Sequence, residues 1–324
     1  MPSPLRFGLI GCGGLGRVHA ECLKRIPEAH FVAYCDIVDD AAKELLEDFG
    51  GEYATTEPGR VLEDRSLQAV YIVTRHDSHA PLAIDAARAG KHILIEKPLA
   101  LGIEDCETVA REVEKAGVHL MPAFKMRYYP LVRMVREFIP EPLVMVGQMM
   151  DRRWADDSWA QDPVTGGANV HSQGCHTTDI LRYFSGSEPE AIWAAGGTFT
   201  HPRHACIDQC VASIRFANGH VAAWIQGDAG LPPFTGKFYF ELFGNGGRSV
   251  QLYDRLKKAT FSDGERTWTE ERPEEEGFHL ENVEFVRALL EDREPELNAR
   301  DGIQATRMVL AADRAIRTGE VQRL

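Results

Sequence analysis

The sequence predicts an α/β protein whose N-terminal part forms a doubly wound parallel sheet and whose C-terminal part is α+β with a mostly antiparallel sheet. A glycine-rich turn follows the first strand, strands and helices alternate up to about residue 122, and beyond about residue 138 strands follow one another across short turns. The chain has 324 residues, and single cores stop growing at about 250–300 residues. We therefore predict one domain over residues 1–122 and a second over residues 123–324.

Charge and composition narrow the class of partner. The formal net charge of −13 argues against nucleic acid or an anionic membrane, and a small neutral molecule such as a sugar or polyol fits it better. No apolar run approaches the roughly 20 residues of a transmembrane helix, and the N-terminus has no signal-peptide core, so we expect a cytoplasmic protein. The seven cysteines show neither a disulfide framework nor a metal-ligand spacing, which predicts buried thiols and no metal site.

The first strand leads directly into a glycine-rich turn. The apolar run Leu5–Ile10 predicts a strand, and the stretch from Arg17 to Arg25 predicts a helix. In a G-x-G-x-x-G pattern between a strand and a helix, the glycines permit a tight turn and the close approach of a pyrophosphate to the helix N-terminus. The candidate dinucleotide-binding residues of this turn are Gly11, Cys12, Gly13, Gly14, Leu15 and Gly16.

A carboxylate follows the second predicted strand. The run Phe31–Cys35 ends at Asp36, whose oxygens can accept hydrogen bonds from the adenosine ribose hydroxyls and would repel a 2′-phosphate. The next residue is Ile37 and not an arginine. The sequence therefore predicts NAD as the cofactor, with NADP as the less favoured alternative.

Strands and helices continue to alternate after Asp36. This alternation predicts a parallel sheet, with Asp39 and Asp40 expected to cap the helix Ala41–Phe49 and to favour its positive end. The predicted elements are the helix Ala41–Phe49, the strand Leu67–Thr74, the helix Ala80–Ala89, the strand His92–Ile95, the helix Glu104–Ala116 and the strand Val118–Pro122.

The tripeptide Glu96-Lys97-Pro98 follows the buried strand His92–Ile95. Ligands of open α/β sheets bind beyond the carboxyl ends of the strands, so Lys97 lies where chemistry is expected. A single Lys-Pro pair is more often a surface lysine at a strand end. The glycine turn upstream favours a functional lysine here.

The second half of the chain has the patterns of an antiparallel sheet. A helix is predicted to end at about Phe138, and the strands that follow it are separated by short turns. Aromatic residues occupy both faces, which makes the face away from the core a candidate oligomer interface. We expect the helical stretches Leu280–Leu290 and Asp301–Thr318 to close this domain. The predicted strands are Leu143–Met150, Ala191–Thr200, Ile207–Phe216, His220–Gly227 and Lys237–Phe243.

Clustered polar residues in the segment Gly166–Asp179 lead into a helix. If the helix begins at about His171, Ser172 and His176 share a face one turn apart. A histidine near neutral pH can take a hydroxyl proton, although a single histidine beside a helix is more often structural.

The stretches Gly11–Gly16, Ala86–Pro98 and Gly166–Asp179 resemble the glucose–fructose oxidoreductase/inositol dehydrogenase (Gfo/Idh/MocA) family, and the likeness extends over essentially the whole chain. The resemblance implies a Rossmann domain followed by a domain with a large open sheet. It also implies nicotinamide-dependent redox chemistry on sugars, polyols or their derivatives, in dimers or tetramers formed through that sheet. His176 falls on the family's general-base or acid position.

Two departures from the family pattern bear on the site. Four residues before His176 the inositol dehydrogenase pattern has Asp, where this chain has Ser172. His171 and Asn169 are nearby candidates to replace that carboxylate, and Asp179 is a third. The segment Thr74-Arg75-His76-Asp77 stands where the family commonly has Thr-Pro-Asn, so Arg75 and His76 are expected to border the cofactor or substrate.

The combined prediction is an NAD-dependent dehydrogenase that oxidises a secondary alcohol of a sugar or cyclitol. Lys97 would bind the reacting oxygen and His176 would take the proton, with Ser172, His171 or Asn169 orienting the substrate. The alternatives are an NAD-using hydrolase or lyase that works by transient oxidation, and a non-catalytic dinucleotide sensor. Further cofactor-binding candidates are Ile37, Thr74, Arg75, His76, His79, Glu96, Lys97 and Pro98. The substrate-binding candidates are Lys97, Lys125, Arg127, Tyr128, Asn169, Ser172 and His176.

Overall fold

The computed structural model of the protein describes residues 3–231, 237–274 and 276–324. Its internal contacts divide the chain into two units. The first comprises Met1–Lys125 and Phe278–Ile303, and the second comprises Met126–Gly277 and Gln304–Leu324. The first boundary thus falls close to the predicted residue 122, but the first unit also contains a later segment of the chain.

The first unit contains a six-stranded sheet in the order β3-β2-β1-β4-β5-β6. All neighbouring strands are parallel, which confirms the predicted doubly wound sheet. The strand order reverses between β1 and β4, the point at which such sheets bind their ligands. The strands are β1 (Leu5–Ile10), β2 (Ala29–Cys35), β3 (Tyr53–Thr55), β4 (Ala69–Ile72), β5 (His92–Ile95) and β6 (Leu120–Pro122).

Five helices connect these strands. One prediction is wrong in detail: Asp39 and Asp40 do not cap the second helix. They lie in its first turn, after Val38 at the cap position, where their charges complement the positive end of the helix. The helices are α1 (Gly14–Leu23), α2 (Asp39–Phe49), α3 (Pro58–Glu63), α4 (His79–Arg88) and α5 (Ile103–Ala116).

The second unit contains a nine-stranded sheet in the order β14-β13-β12-β11-β7-β10-β9-β8-β15. Only β7 and β10 pair in parallel, so the predicted mostly antiparallel sheet is confirmed. The sequence patterns missed the short polar strands β12 to β15. The strands are β7 (Pro142–Arg152), β8 (Pro189–Gly197), β9 (Gln209–Phe216), β10 (Val221–Gly230), β11 (Lys237–Gly244), β12 (Ser249–Tyr253), β13 (Lys258–Ser262), β14 (Thr267–Glu271) and β15 (Gln322–Arg323).

Helix α7 packs on the central strands of this sheet. Two glycines allow the close approach, because a Cβ on Gly147 would lie 3.0 Å from the Leu181 side chain and one on Gly174 would lie 2.7 Å from the Trp224 ring. The helices after β6 are α6 (Pro130–Phe138), α7 (Ala168–Ser185), α8 (Gly277–Leu290) and α9 (Ala299–Thr318).

Helix α8 packs within the first unit, and the prediction that it closes the second domain is wrong. Its Phe285 contacts the rings of Phe7 and Tyr71, and its Asn282 hydrogen-bonds His19 in α1. The helical period showed that this segment has an apolar face, but the period carries no information about which sheet covers that face.

All seven cysteines are buried and none is in a disulfide, as predicted. In the described part of the chain, no helix combines the length and apolarity needed to cross a membrane.

Candidate active site

At two positions of the turn between β1 and α1, packing within the protein leaves room only for glycine. Gly11 has φ +102°, and a Cβ there would lie 2.1 Å from the Val73 carbonyl oxygen. A Cβ on Gly16 would lie 2.2 Å from the Gly11 carbonyl oxygen, so only glycine lets α1 lie this close to β1.

Packing within the protein does not account for Gly13. A Cβ on Gly13 would meet no protein atom within 4 Å, so the described residues do not demand its small size. It precedes the first turn of α1, which contains no acidic residue and has no side-chain cap. The first N–H groups of a helix have no partner within the helix, and open space lies beside Gly13. A pyrophosphate can occupy such a position, so the turn fits a dinucleotide.

Asp36 is held against this turn by backbone donors. The Cys12 N–H donates to Asp36 Oδ2 at 2.7 Å, and the Val38 N–H donates to Oδ1 at 2.9 Å. Each carboxylate oxygen keeps a second lone pair with which to accept a ribose hydroxyl. Ile37 beside it is largely exposed. Cys12 is no nucleophile, because burial and the neighbouring Asp36 raise the pKa of its thiol to about 12.

His79 links the Thr74 loop to the turn after β5. Its Nδ1 lies 2.7 Å from the Pro98 carbonyl oxygen, and its Nε2 lies 3.1 Å from the Thr74 carbonyl oxygen. Burial lowers the pKa of His79, and its hydrogen bonds to the two carbonyl oxygens oppose this shift. The Thr74 loop continues through a short 3-10 helix over His76–Ser78, in which His76 is buried. His79 therefore holds together two segments that were predicted to border the cofactor.

The Glu96-Lys97-Pro98 turn follows β5 and is buried, with a cis peptide bond between Lys97 and Pro98. His19 Nε2 donates to Glu96 Oε1 at 3.3 Å, and the Lys97 N–H donates to Oε2 at 3.1 Å. Burial alone would raise the pKa of Glu96, but the His19 hydrogen bond and the nearby charges of Lys97 and Lys125 lower it. Glu96 is therefore a buried carboxylate directly preceding Lys97.

Glu281 in α8 is a second buried acid of this unit. Neither of its carboxyl oxygens has a hydrogen-bond partner among the described residues. Burial and the Glu96 charge raise the pKa of Glu281 well above its usual value. Lys125, predicted to bind substrate, lies with its Nζ 3.6 Å from the centre of the Phe278 ring.

In the second unit, α7 brings three of the predicted residues onto one face. The helix begins at Ala168, which is three residues before the predicted start. Asn169, Ser172 and His176 therefore follow one another at spacings of three and four residues, and all three are buried.

His171 lies on a different side of α7. Its Nε2 is 3.5 Å from Asp313 Oδ1 in α9. Burial would raise the pKa of Asp313, but hydrogen bonds from His171 and Arg317 lower it to about 2. The structure therefore does not bring His171 together with Ser172 and His176.

Arg127 and Asp179 form a buried pair. The Arg127 Nε donates to Asp179 Oδ2 at 2.9 Å, and its Nη2 donates to Oδ1 at 2.6 Å. This geometry engages both carboxylate oxygens of Asp179, one of the candidates to replace the carboxylate that is absent at Ser172. Tyr128, beside Arg127 in the chain, is buried under the Arg133 guanidinium.

A cluster of ionisable groups that the sequence analysis missed links β10 to the segment after β7. His201 Nδ1 lies 2.7 Å from Asp156 Oδ1, and its Nε2 lies 2.6 Å from Asp228 Oδ2. Burial would lower the pKa of His201, but its hydrogen bonds to the two aspartates outweigh burial and raise it. Asp156, His201 and His204 also offer ligand atoms within 4.8 Å of one another. Each ring nitrogen of His201 thus lies within hydrogen-bond distance of a carboxylate oxygen.

Comparison with known proteins decides the family. The family model described as an oxidoreductase family with an NAD-binding Rossmann fold matches residues 5–124, and the model of the GFO/IDH/MocA C-terminal domain matches residues 137–248. The chain belongs to the Gfo/Idh/MocA family. This confirms the predicted resemblance, and the chain is an NAD-binding oxidoreductase of that family.

Relatives of this Gfo/Idh/MocA chain include enzymes named for cyclitols and sugars. Myo-inositol 2-dehydrogenase of Thermotoga maritima is 26% identical over 335 residues, with 96% of each chain covered. Inositol 2-dehydrogenase of Rhizobium meliloti is 31% identical over 194 residues, which is 59% of this chain and 58% of the relative. A solved structure of levoglucosan dehydrogenase with NADH and levoglucosan has the same fold, with a TM-score of 0.91 at 23% identity over 99% of each chain.

Several residues of this Gfo/Idh/MocA protein escaped the sequence analysis. His19, Glu281 and Asn282 were missed because each acquires its surroundings from a segment far away in the chain. His19 carried a weak signal, since a histidine stood inside the helix that follows the glycine turn. Glu281 carried none, because a glutamate in an amphipathic helix usually faces solvent.

Proposed function

We propose that this protein is an NAD-dependent dehydrogenase that oxidises a secondary alcohol of a sugar, cyclitol or sugar derivative, or catalyses the reverse reduction. The observation that carries the proposal is the buried Glu96-Lys97 turn at the carboxyl end of β5, in a unit whose glycine turn fits a dinucleotide. Bound NAD supplies the hydride acceptor.

The protein's own residues handle the oxygen and its proton. Lys97 donates a hydrogen bond to the reacting oxygen and stabilises the negative charge that develops there. His176 accepts the hydroxyl proton on an imidazole nitrogen. Ser172 and Asn169, on the same face of α7, orient the substrate. Serine carries no charge, so Ser172 does not stabilise an imidazolium as the family's aspartate can.

A panel of sugars and polyols, each mixed with NAD or NADP, tests this function through the absorbance of the reduced cofactor. We expect NADH to accumulate in proportion to product with at least one cyclitol or sugar. Consumption of a glycoside without net NADH would instead support a hydrolase or lyase. Tight NAD binding with no reaction on any compound would support a sensor.

Asp36 is proposed to set the preference for NAD. In the Asp36→Asn variant we expect the ratio of kcat/KM for NAD over NADP to fall about 10- to 100-fold, because the charge that repels a 2′-phosphate is lost. Steady-state kinetics with both cofactors measure this ratio. Asp39→Asn removes an exposed carboxylate nearby and should leave the ratio within about twofold of wild type. A wild-type preference for NADP would contradict the role of Asp36.

We propose that the outer face of the nine-stranded sheet is buried at the subunit interface of a homodimer or homotetramer. Val144, Val221 and Phe243 lie side by side on β7, β10 and β11, and Trp193 and Val211 continue this exposed apolar face onto β8 and β9. Exposed apolar side chains grouped on one face often mark a protein–protein interface.

Substitution on this face tests the oligomer. We expect Trp193→Glu combined with Val211→Glu to convert the assembly to monomers, as measured by size-exclusion chromatography with light scattering. Leu290→Glu is the matched control, because Leu290 in α8 is 45% exposed against 46% for Trp193. A wild-type protein that is monomeric at micromolar concentration would contradict the proposal.

A further inference from the structure

A chain of buried polar side chains connects β10 to the face of α7 that carries Ser172 and His176. Trp224 Nε1 lies 3.3 Å from Gln226 Oε1, and the Thr177 hydroxyl lies 2.9 Å from the same oxygen. At its other end, Gln226 Nε2 lies 2.7 Å from Asn169 Oδ1. The four residues are at most 1% exposed.

The indole of Trp224 sets the direction of the whole chain of hydrogen bonds. An indole N–H can only donate, so the Gln226 atom beside it has to be the oxygen. The NH2 end of Gln226 then faces Asn169, and the Asn169 atom that receives it has to be an oxygen as well. Two amides that could each be turned either way are thereby held in one orientation.

The orientation of Asn169 leaves its Nδ2 as a donor. This atom is buried, and none of the residues that the structure describes accepts a hydrogen bond from it. Buried polar groups in native proteins are nearly always paired, so an acceptor is expected to reach Asn169 from outside this set. Asn169 lies three residues before Ser172 and seven before His176, on the same face of α7.

We propose that Asn169 donates a hydrogen bond to an oxygen of the polyhydroxylated substrate, and that Gln226 is a positioning residue that holds the Asn169 amide in the donating orientation. The proposal rests on the dehydrogenase function and specifies what its substrate must offer. The substrate presents an acceptor oxygen to Asn169, so a deoxy analogue that lacks this oxygen binds more weakly.

Kinetics of single and double variants test the link between the two amides. We expect Asn169→Leu and Gln226→Met each to raise KM for the best polyol about 10-fold while kcat stays within about threefold. Because Gln226 acts through Asn169, the double variant should also show a rise of about 10-fold. Multiplying effects, with a rise of about 100-fold, would overturn the positioning role.

Thr178→Val is the matched control for stability. Thr178 is a buried hydroxyl on the same helix, and among the described residues it lies within hydrogen-bond distance of the carbonyl oxygens of Cys175 and Ala305. We expect Thr178→Val to lower the melting temperature, as we also expect of Gln226→Met, but to leave KM within about twofold of wild type. A similar rise in KM for Thr178→Val would show that any loosening of α7 weakens binding, which contradicts the proposal.

The side-chain amide resonance of Asn169 gives a direct measurement that does not depend on the Gln226 variant folding. It is assigned in ¹⁵N-labelled protein by its disappearance in Asn169→Leu, and NAD-loaded wild type is titrated with myo-inositol, levoglucosan and the best polyol of the panel. We expect a shift with any compound that is turned over. Turnover without a shift overturns the donor role. A shift without turnover supports the donor and contradicts the dehydrogenase function, and the absence of both contradicts the two proposals together.

Discussion

Replacing Lys97 by alanine is expected to lower kcat about 100- to 1,000-fold, because one hydrogen-bond donor to a developing oxyanion contributes that much in enzymes. The lysine side chain is buried, and it directly follows a carboxylate that is hydrogen-bonded to His19. For His176→Ala we expect a loss of about 100- to 10,000-fold, the range of general acid–base catalysis.

Single-turnover absorbance of NADH measures both losses, and NADH binding followed by fluorescence shows whether the cofactor still binds. Lys115→Ala and His30→Ala are the controls, since each removes the same side chain at an exposed position of the first unit. Turnover within about threefold of wild type in either Lys97→Ala or His176→Ala would contradict the assigned role.

Replacing Asp179 by asparagine is expected to lower the free energy of unfolding by about 3–5 kcal/mol. The side chain of Asp179 is 1% exposed and that of Arg127 is 12% exposed, so the substitution removes the carboxylate charge that contacts a largely buried guanidinium. Urea unfolding followed by far-UV circular dichroism measures the change. The combined variant Arg127→Met with Asp179→Leu should recover most of the loss, because it removes both charges together.

The pair Arg182–Glu188 is a control that the chain itself provides. This pair is also bidentate, since the Arg182 Nε donates to Glu188 Oε2 at 2.8 Å and its Nη2 donates to Oε1 at 2.7 Å. The Glu188 side chain, however, is 35% exposed. Water screens a pair of this kind, and Glu188→Gln should cost about 1 kcal/mol or less. Equal losses in the two variants would show that burial does not govern the strength of the Arg127–Asp179 pair.

The first unit illustrates which structural features were predictable. The strand β5 has the predicted bounds, and β1, the glycine turn and α1 follow one another as expected, because apolar runs and glycines are local signals. The strands β12 to β14 were missed because they are short, polar on one face and joined by charged turns, so their alternation is weak. Helix α8 was assigned to the wrong unit because its partners lie more than 200 residues earlier.

The candidate site shows the same division. Local pattern located Lys97 after a buried strand, Asp36 after another, and Ser172 and His176 on one face of a helix, because residues this close in sequence share the geometry of a single element. Long-range contacts decided the surroundings of these residues. These contacts pair Arg127 with Asp179 and His171 with Asp313, and they place the buried Glu281 near Glu96. They also fix the orientation of the Asn169 amide through its hydrogen bond with Gln226. Burial, charge pairing and hydrogen-bond direction depend on what lies across the fold, and the spacing of residues along the chain does not encode them.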